Sequence, residues 1–150
     1  MLALPAVVAL LLPTACGGGS SEAEGGDPDS DGFSSAADPG TCVADATGVS
    51  TTPDGYPTDF PLPEGTVVFH VEDRGEDGVI ATGVTAMAFD DVLAGMNAAK
   101  KAGFRVTSGE TEEDDAEANW TGHGYVGRWA IKKSASCPGE TVVQLLSKRG

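Results

Sequence analysis

Basic residues are scarce in this chain. Nine Lys and Arg stand against 23 Asp and Glu, giving a formal net charge of −14 over 150 residues. So negative a chain repels phosphate backbones and anionic headgroups, which excludes nucleic acid as a partner and membrane binding through charge. Aromatic residues amount to only 6%, leaving little material for base stacking or carbohydrate platforms. The two histidines, His70 and His123, stand in no His-x-x-x-His spacing, so the sequence offers no zinc motif. A phosphate-cradling loop and a Gly-x-Ser-x-Gly nucleophile elbow are missing as well. No resident cofactor is expected. The apolar run at the N-terminus is shorter than the roughly 20 residues a transmembrane helix needs.

Glycine and proline, by contrast, are plentiful at 21 and 9 residues, which points to a folded part joined to a loose one. Met1 to Pro13 carry no charged side chain, and Leu2 to Leu12 are almost wholly apolar. Pro5, Pro13 and the Gly17-Gly18-Gly19 tract argue against a buried helix and for a signal peptide. Pro13-Thr14-Ala15-Cys16 resembles a bacterial lipobox, in which small side chains fit the protease groove and the cysteine thiol takes a diacylglycerol thioether. That pattern usually has Leu where Pro13 stands, and Lys or Arg before the apolar run. The resemblance makes residues 1–15 a lipoprotein signal peptide and Cys16 the lipidated mature terminus. It places the protein on the outer face of the bacterial cytoplasmic membrane, with a plainly secreted protein as the alternative. Each buried acyl methylene contributes about 0.8 kcal/mol, so two or three chains would anchor it in the lipid bilayer.

Residues 16–41 read as a disordered acidic Gly/Ser tether, since Phe33 is its only large apolar residue. Ten of the 23 acids and none of the nine bases lie between Gly17 and Gly65. Within the tether, Asp27-Pro28-Asp29-Ser30-Asp31-Gly32 matches the opening of a calcium loop, continuing to Ser35 and Asp38. The twelfth position lacks its glutamate and no helices flank it, so a solvated linker is the expected reading. Once Cys16 is lipidated, Cys42 and Cys137 remain as an even pair in an oxidising compartment, and a disulfide between them is expected.

Residues 42–150 are expected to form a single domain. Pro61-Leu62-Pro63-Glu64-Gly65 reads as a rigid turn, followed by a strand over Thr66 to Val71 and a second over Val79 to Ala88. Phe89, Val92, Leu93, Met96 and Ala99 recur at helical spacing. Asp90 is the expected N-cap, Lys100 and Lys101 the last turn, and Gly103 the C-cap. Phe104 to Gly109, Ala116 to Gly122, Tyr125 to Lys133 and Thr141 to Lys148 read as further strands, with Glu110 to Asp115 as an acidic loop. In the strand from Tyr125, bulky apolar residues alternate with charged ones, as in a sheet with one wet side. The expected fold is α+β in the order ββαββββ, one amphipathic helix packed on a curved antiparallel sheet of five to six strands.

The run Asp59-Phe60-Pro61-Leu62-Pro63-Glu64-Gly65, together with Ala102-Gly103-Phe104-Arg105-Val106 after the helix, resembles a group of uncharacterised actinobacterial lipoproteins. The similarity covers roughly Asp59 to Lys148 and lies in structural punctuation. It implies a fold and a location and carries no catalytic residue.

Trp120, Tyr125 and Trp129 fall around one hairpin. Core packing explains them, and the rival reading puts one or two rings on the open sheet face as a partner-binding anchor. The acids Glu110, Glu112, Glu113, Asp114, Asp115 and Glu117 read as a solvated loop, with a glycosidase-type carboxylate pair as the sharper alternative. The function expected is that of an anchored extracytoplasmic lipoprotein with a small non-enzymatic domain that binds an envelope protein or polymer. An inhibitor acting through the acidic loop and a small envelope hydrolase are the rivals.

Overall fold

β-Branched residues crowd the chain after the Pro-Leu-Pro turn, and they favour the pleated backbone. In the computed structural model, which describes residues 39–150, they pair into one antiparallel sheet. The strands are β1 (Val67–Asp73), β2 (Val79–Thr85), β3 (Arg105–Thr111), β4 (Asp115–Gly122), β5 (Tyr125–Lys133) and β6 (Thr141–Arg149). A single helix, α1 (Phe89–Asn97), lies between β2 and β3. The spatial order is β1-β2-β6-β5-β4-β3, so the fold is α+β with an open six-stranded antiparallel sheet. Cys16, the expected signal peptide, the acidic run Asp27 to Asp38 and the expected tether as far as Asp38 lie outside the described residues. Gly40 already lies against the later chain: a Cβ there would sit 3.4 Å from the Ser136 hydroxyl.

Helix α1 buries Phe89, Val92 and Met96 in a core with Ala116, Ala118, Trp120, Trp129, Ile131, Val143 and Leu145 of β4, β5 and β6. Two details of the expected helix differ. Ala88, in an extended conformation, is the N-cap, and Asp90 and Asp91 both lie in the first turn, where the helix dipole favours carboxylates. The α-helix also ends earlier, and Ala98–Ala102 tighten into a 3₁₀ turn that holds Lys100 and Lys101. Gly103 closes it at φ 90°, the left-handed cap the sequence called for.

The one-wet-side expectation fails in the middle of the sheet. On the face away from α1, Ile80, Thr82 and Val84 of β2 and Val142, Gln144 and Leu146 of β6 are all buried. Gln144 Nε2 donates to Thr82 Oγ1 at 3.2 Å there. Central strands with long neighbours lose both faces to packing, which period-two patterning of one strand does not reveal.

The segment before β1 has no strand or α-helix of its own but is fastened repeatedly. Cys42 is bonded to Cys137, with Cα atoms 5.6 Å apart. The Val43 N–H donates to the Glu140 carboxylate at 2.8 Å, and the Val49 N–H to the Val68 carbonyl at 2.8 Å, along the outer edge of β1. Ser147 Oγ donates to the Gly55 carbonyl at 2.9 Å. Phe60 then enters the core, its ring centroid 5.0 Å from Phe104 and 4.9 Å from Trp120.

Tyr56 packs beside this core, and desolvation by burial raises its phenol above the usual value of 10.0. A group that keeps its proton more tightly when folded contributes stability below the unfolded pKa, and that stability is lost as pH rises through the folded one. An absorbance titration should find the Tyr56 phenol protonated at about pH 10, and Tyr56→Phe should abolish the late ionisation step.

Candidate functional site

Only the middle of the acidic stretch is a loop. Glu110 belongs to β3 and Asp115 to β4, leaving Glu112 to Asp114 as a tight hairpin closed by Glu112 N–H donating to the Asp115 carbonyl at 2.8 Å. The Lys133 ammonium donates to Asp114 at 2.9 Å, and that hydrogen bond raises the Lys133 pKa above the ordinary lysine value.

Of the three hairpin aromatics, Trp120 and Trp129 are each only 1% exposed. Both pack in the core, as the core reading of the hairpin expects, and neither is an exposed ring on the sheet face. Their Nε1 atoms find no hydrogen-bond partner among the described residues. Tyr125 is half-buried at the start of β5, with the Arg149 guanidinium 4.9 Å from its ring centroid.

What the sheet does present is its face away from α1. Alternation along β4 and β5 puts Glu117, Asn119, Thr121, Val126 and Arg128 on that face, opposite the side that buries Ala118, Trp120 and Trp129. Two clefts open there. One, of about 250 Å³, runs over Thr121, Val126, Leu146 and Lys148, with Asp77 at its rim. The other, of about 260 Å³, runs over Ser108, Glu110 and Glu117. Both are lined by Asn119 and Arg128, so they meet at the middle of the face.

The polar groups at the junction are held in place. The Arg128 guanidinium pairs with the Glu117 carboxylate, and its side chain is 14% exposed. Asn119 Nδ2 donates to Ser108 Oγ at 3.1 Å, and Thr107 Oγ1 donates to the Asn119 carbonyl at 3.3 Å. A planar guanidinium, an amide and hydroxyls above an apolar floor of Val126 and Leu146 suit a ligand rich in hydrogen-bonding groups. Glu110 and Glu117 face each other across β3 and β4, but Arg128 engages the second.

The remaining candidates separate cleanly. His123 occupies the β4–β5 turn at φ 51°, pairs through Nδ1 with Asp59 and stacks on Phe104 at 4.5 Å between centroids. His70 is exposed on β1. Among the described residues, the metal-ligating types cluster only at Cys42, Cys137 and Glu140, and the disulfide leaves no thiolate there. Sequence reasoning missed the face itself, because its lining comes from four strands whose pairing no local pattern announces.

No protein-family model matches the chain, and neither a curated protein nor a solved structure does.

Proposed function

We propose that this is a lipid-anchored extracytoplasmic lipoprotein whose domain is a non-catalytic binding module for an extended polymer of the bacterial envelope. The observation that carries the reading is the meeting of two clefts at Asn119 and Arg128. A depression that crosses several strands accommodates a chain of repeating polar groups better than a compact small molecule. The cations Arg128 and Lys148 suit carboxylates along such a chain, in a molecule otherwise dominated by acids. Export is supported by the Cys42–Cys137 bridge, which belongs to oxidising compartments, and anchoring by the Pro13-Thr14-Ala15-Cys16 run.

Both halves can be tested separately. Full-length protein should co-sediment with purified peptidoglycan, a glycan whose peptides carry carboxylates. Arg128→Ala and Lys148→Glu should each weaken that binding about tenfold, the scale of a lost charged hydrogen bond. Unchanged co-sedimentation of both variants rejects the face as the binding surface. Cys16→Ser should move the protein from the membrane fraction to the soluble fraction; retention with the membrane rejects the anchor.

A further inference from the structure

Both edges of the sheet carry a register shift, between Val68 and His70 in β1 and between Val106 and Ser108 in β3. Their surroundings differ. The chain's own Val49 bonds to the outer edge of β1. Along β3, six of seven residues are exposed, and its described ladder partner is β4 alone. An edge strand offers a row of backbone donors and acceptors to another strand.

The charges along this edge are arranged end to end. Lys100, Lys101 and Arg105 are exposed at its start, and Glu110, Glu112 and Glu113 at its finish. Among the described residues, none of these six side chains makes a hydrogen bond or an ion pair. The bulge at Thr107 matters here. Five positions apart in an unbroken strand, Arg105 and Glu110 would point to opposite faces. With the extra residue, Arg105 pairs opposite Thr121 and Glu110 opposite Glu117, both on the face away from α1.

We infer that β3 is a homodimerisation edge, in which two copies pair β3 to β3 antiparallel about a two-fold axis between Thr107 and Ser108. That register sets Arg105 of each copy across from Glu110 of the other, on the same face. It sets Val106 across from Gly109, beside a cleft of about 230 Å³ lined by Val106, Gly109, Thr111 and Trp129. It also carries each acidic tip, Glu112 and Glu113, toward the 3₁₀ turn holding Lys100 and Lys101 of the other copy. A basic or acidic foreign strand would satisfy only one end of the edge; a second copy satisfies both.

Sedimentation velocity on the full chain over a concentration series should show a monomer–dimer equilibrium that weakens with added salt. Arg105→Glu and Glu110→Arg each place like charges at both symmetric contacts, and each alone should raise the dimer dissociation constant about tenfold. An equimolar mixture of the two variants restores opposite charges and should recover a dimer, which a misfolded variant could not do. A protein that stays monomeric at every concentration overturns the inference. So does a dimer indifferent to both reversals, or a mixture that associates no better than either variant alone.

Discussion

Replacing Cys137 with serine, or reducing the Cys42–Cys137 bridge, is expected to lower the unfolding free energy by about 4–5 kcal/mol, the loop-closure entropy of a cross-link spanning this many residues. The bridge closes a separation of 95 residues, nearly the whole described domain. Domains of this size have only about 5–15 kcal/mol in total, so the loss would be a large share of it. The covalent link acts mainly on the unfolded chain; in the folded one Val43 N–H donates to Glu140 and Cys137 N–H to Ser134 Oγ at 3.1 Å beside it. Urea melts with and without reductant should therefore differ in both midpoint and slope, because the uncrosslinked chain exposes more surface on unfolding. Amide exchange should localise the rest of the effect. Val43 and Val49 should lose protection first, while the β5–β6 ladder keeps it. A stability change below about 1 kcal/mol would mean that the segment before β1 is held by its packing and that the bridge is incidental.

The helix and the strands were legible because each is a local pattern. Phe89, Val92 and Met96 show the helical stripe without reference to any other part of the chain, and Tyr125 to Lys133 shows its alternation over the span that β5 occupies. The Gly103 cap was legible for the same reason. What the sequence leaves open is every relation between distant segments. Nothing in Val79 to Thr85 names Thr141 to Arg149 as its neighbour, although that pairing buries both faces of both strands. The lead-in Phe60 and the post-helix Phe104 look like punctuation of two separate elements, yet they meet as rings 5.0 Å apart. Trp120 and Trp129 could not be assigned to core or surface from their own hairpin, since Tyr125 on the same strand has the same parity and is only half-buried. The acidic run is a loop only at Glu112 to Asp114, because charge predicts solvent exposure well and backbone conformation poorly. Glu110 is an exposed strand residue and Asp115 a half-buried one.

Gly127 has a role that its place in an alternating strand would not suggest. It lies on the α1 side of β5 between Tyr125 and Trp129, across from Trp120 on β4 and Ser147 on β6. A Cβ added there would run into the Leu146 carbonyl oxygen and would approach Trp120 Cζ2 to 2.6 Å and Cε2 to 2.8 Å. Neither neighbour can move cheaply. The carbonyl is part of β6, and the indole is wedged against Phe60 and Phe104, the latter at 5.5 Å and edge-on. Gly127→Ala should therefore cost about 3 kcal/mol, the upper end of ordinary overpacking, and lower Tm by more than about 10 °C. Gly95→Ala is the control of opposite sign. Its Cβ would meet nothing within 4 Å in a helix, so it should stabilise by about 0.5–1 kcal/mol. Because the clash is shared between backbone and indole, the two contributions can be separated. Trp120→Phe removes Cζ2 and Cε2 while keeping an aromatic ring, and in that background Gly127→Ala should cost measurably less than in the parent chain. A double-mutant cycle with coupling of about 1 kcal/mol or more would assign that part of the cost to the indole. Strict additivity would instead place the whole cost in the β5–β6 ladder, and equal stability of Gly127→Ala and the parent would overturn the packing argument.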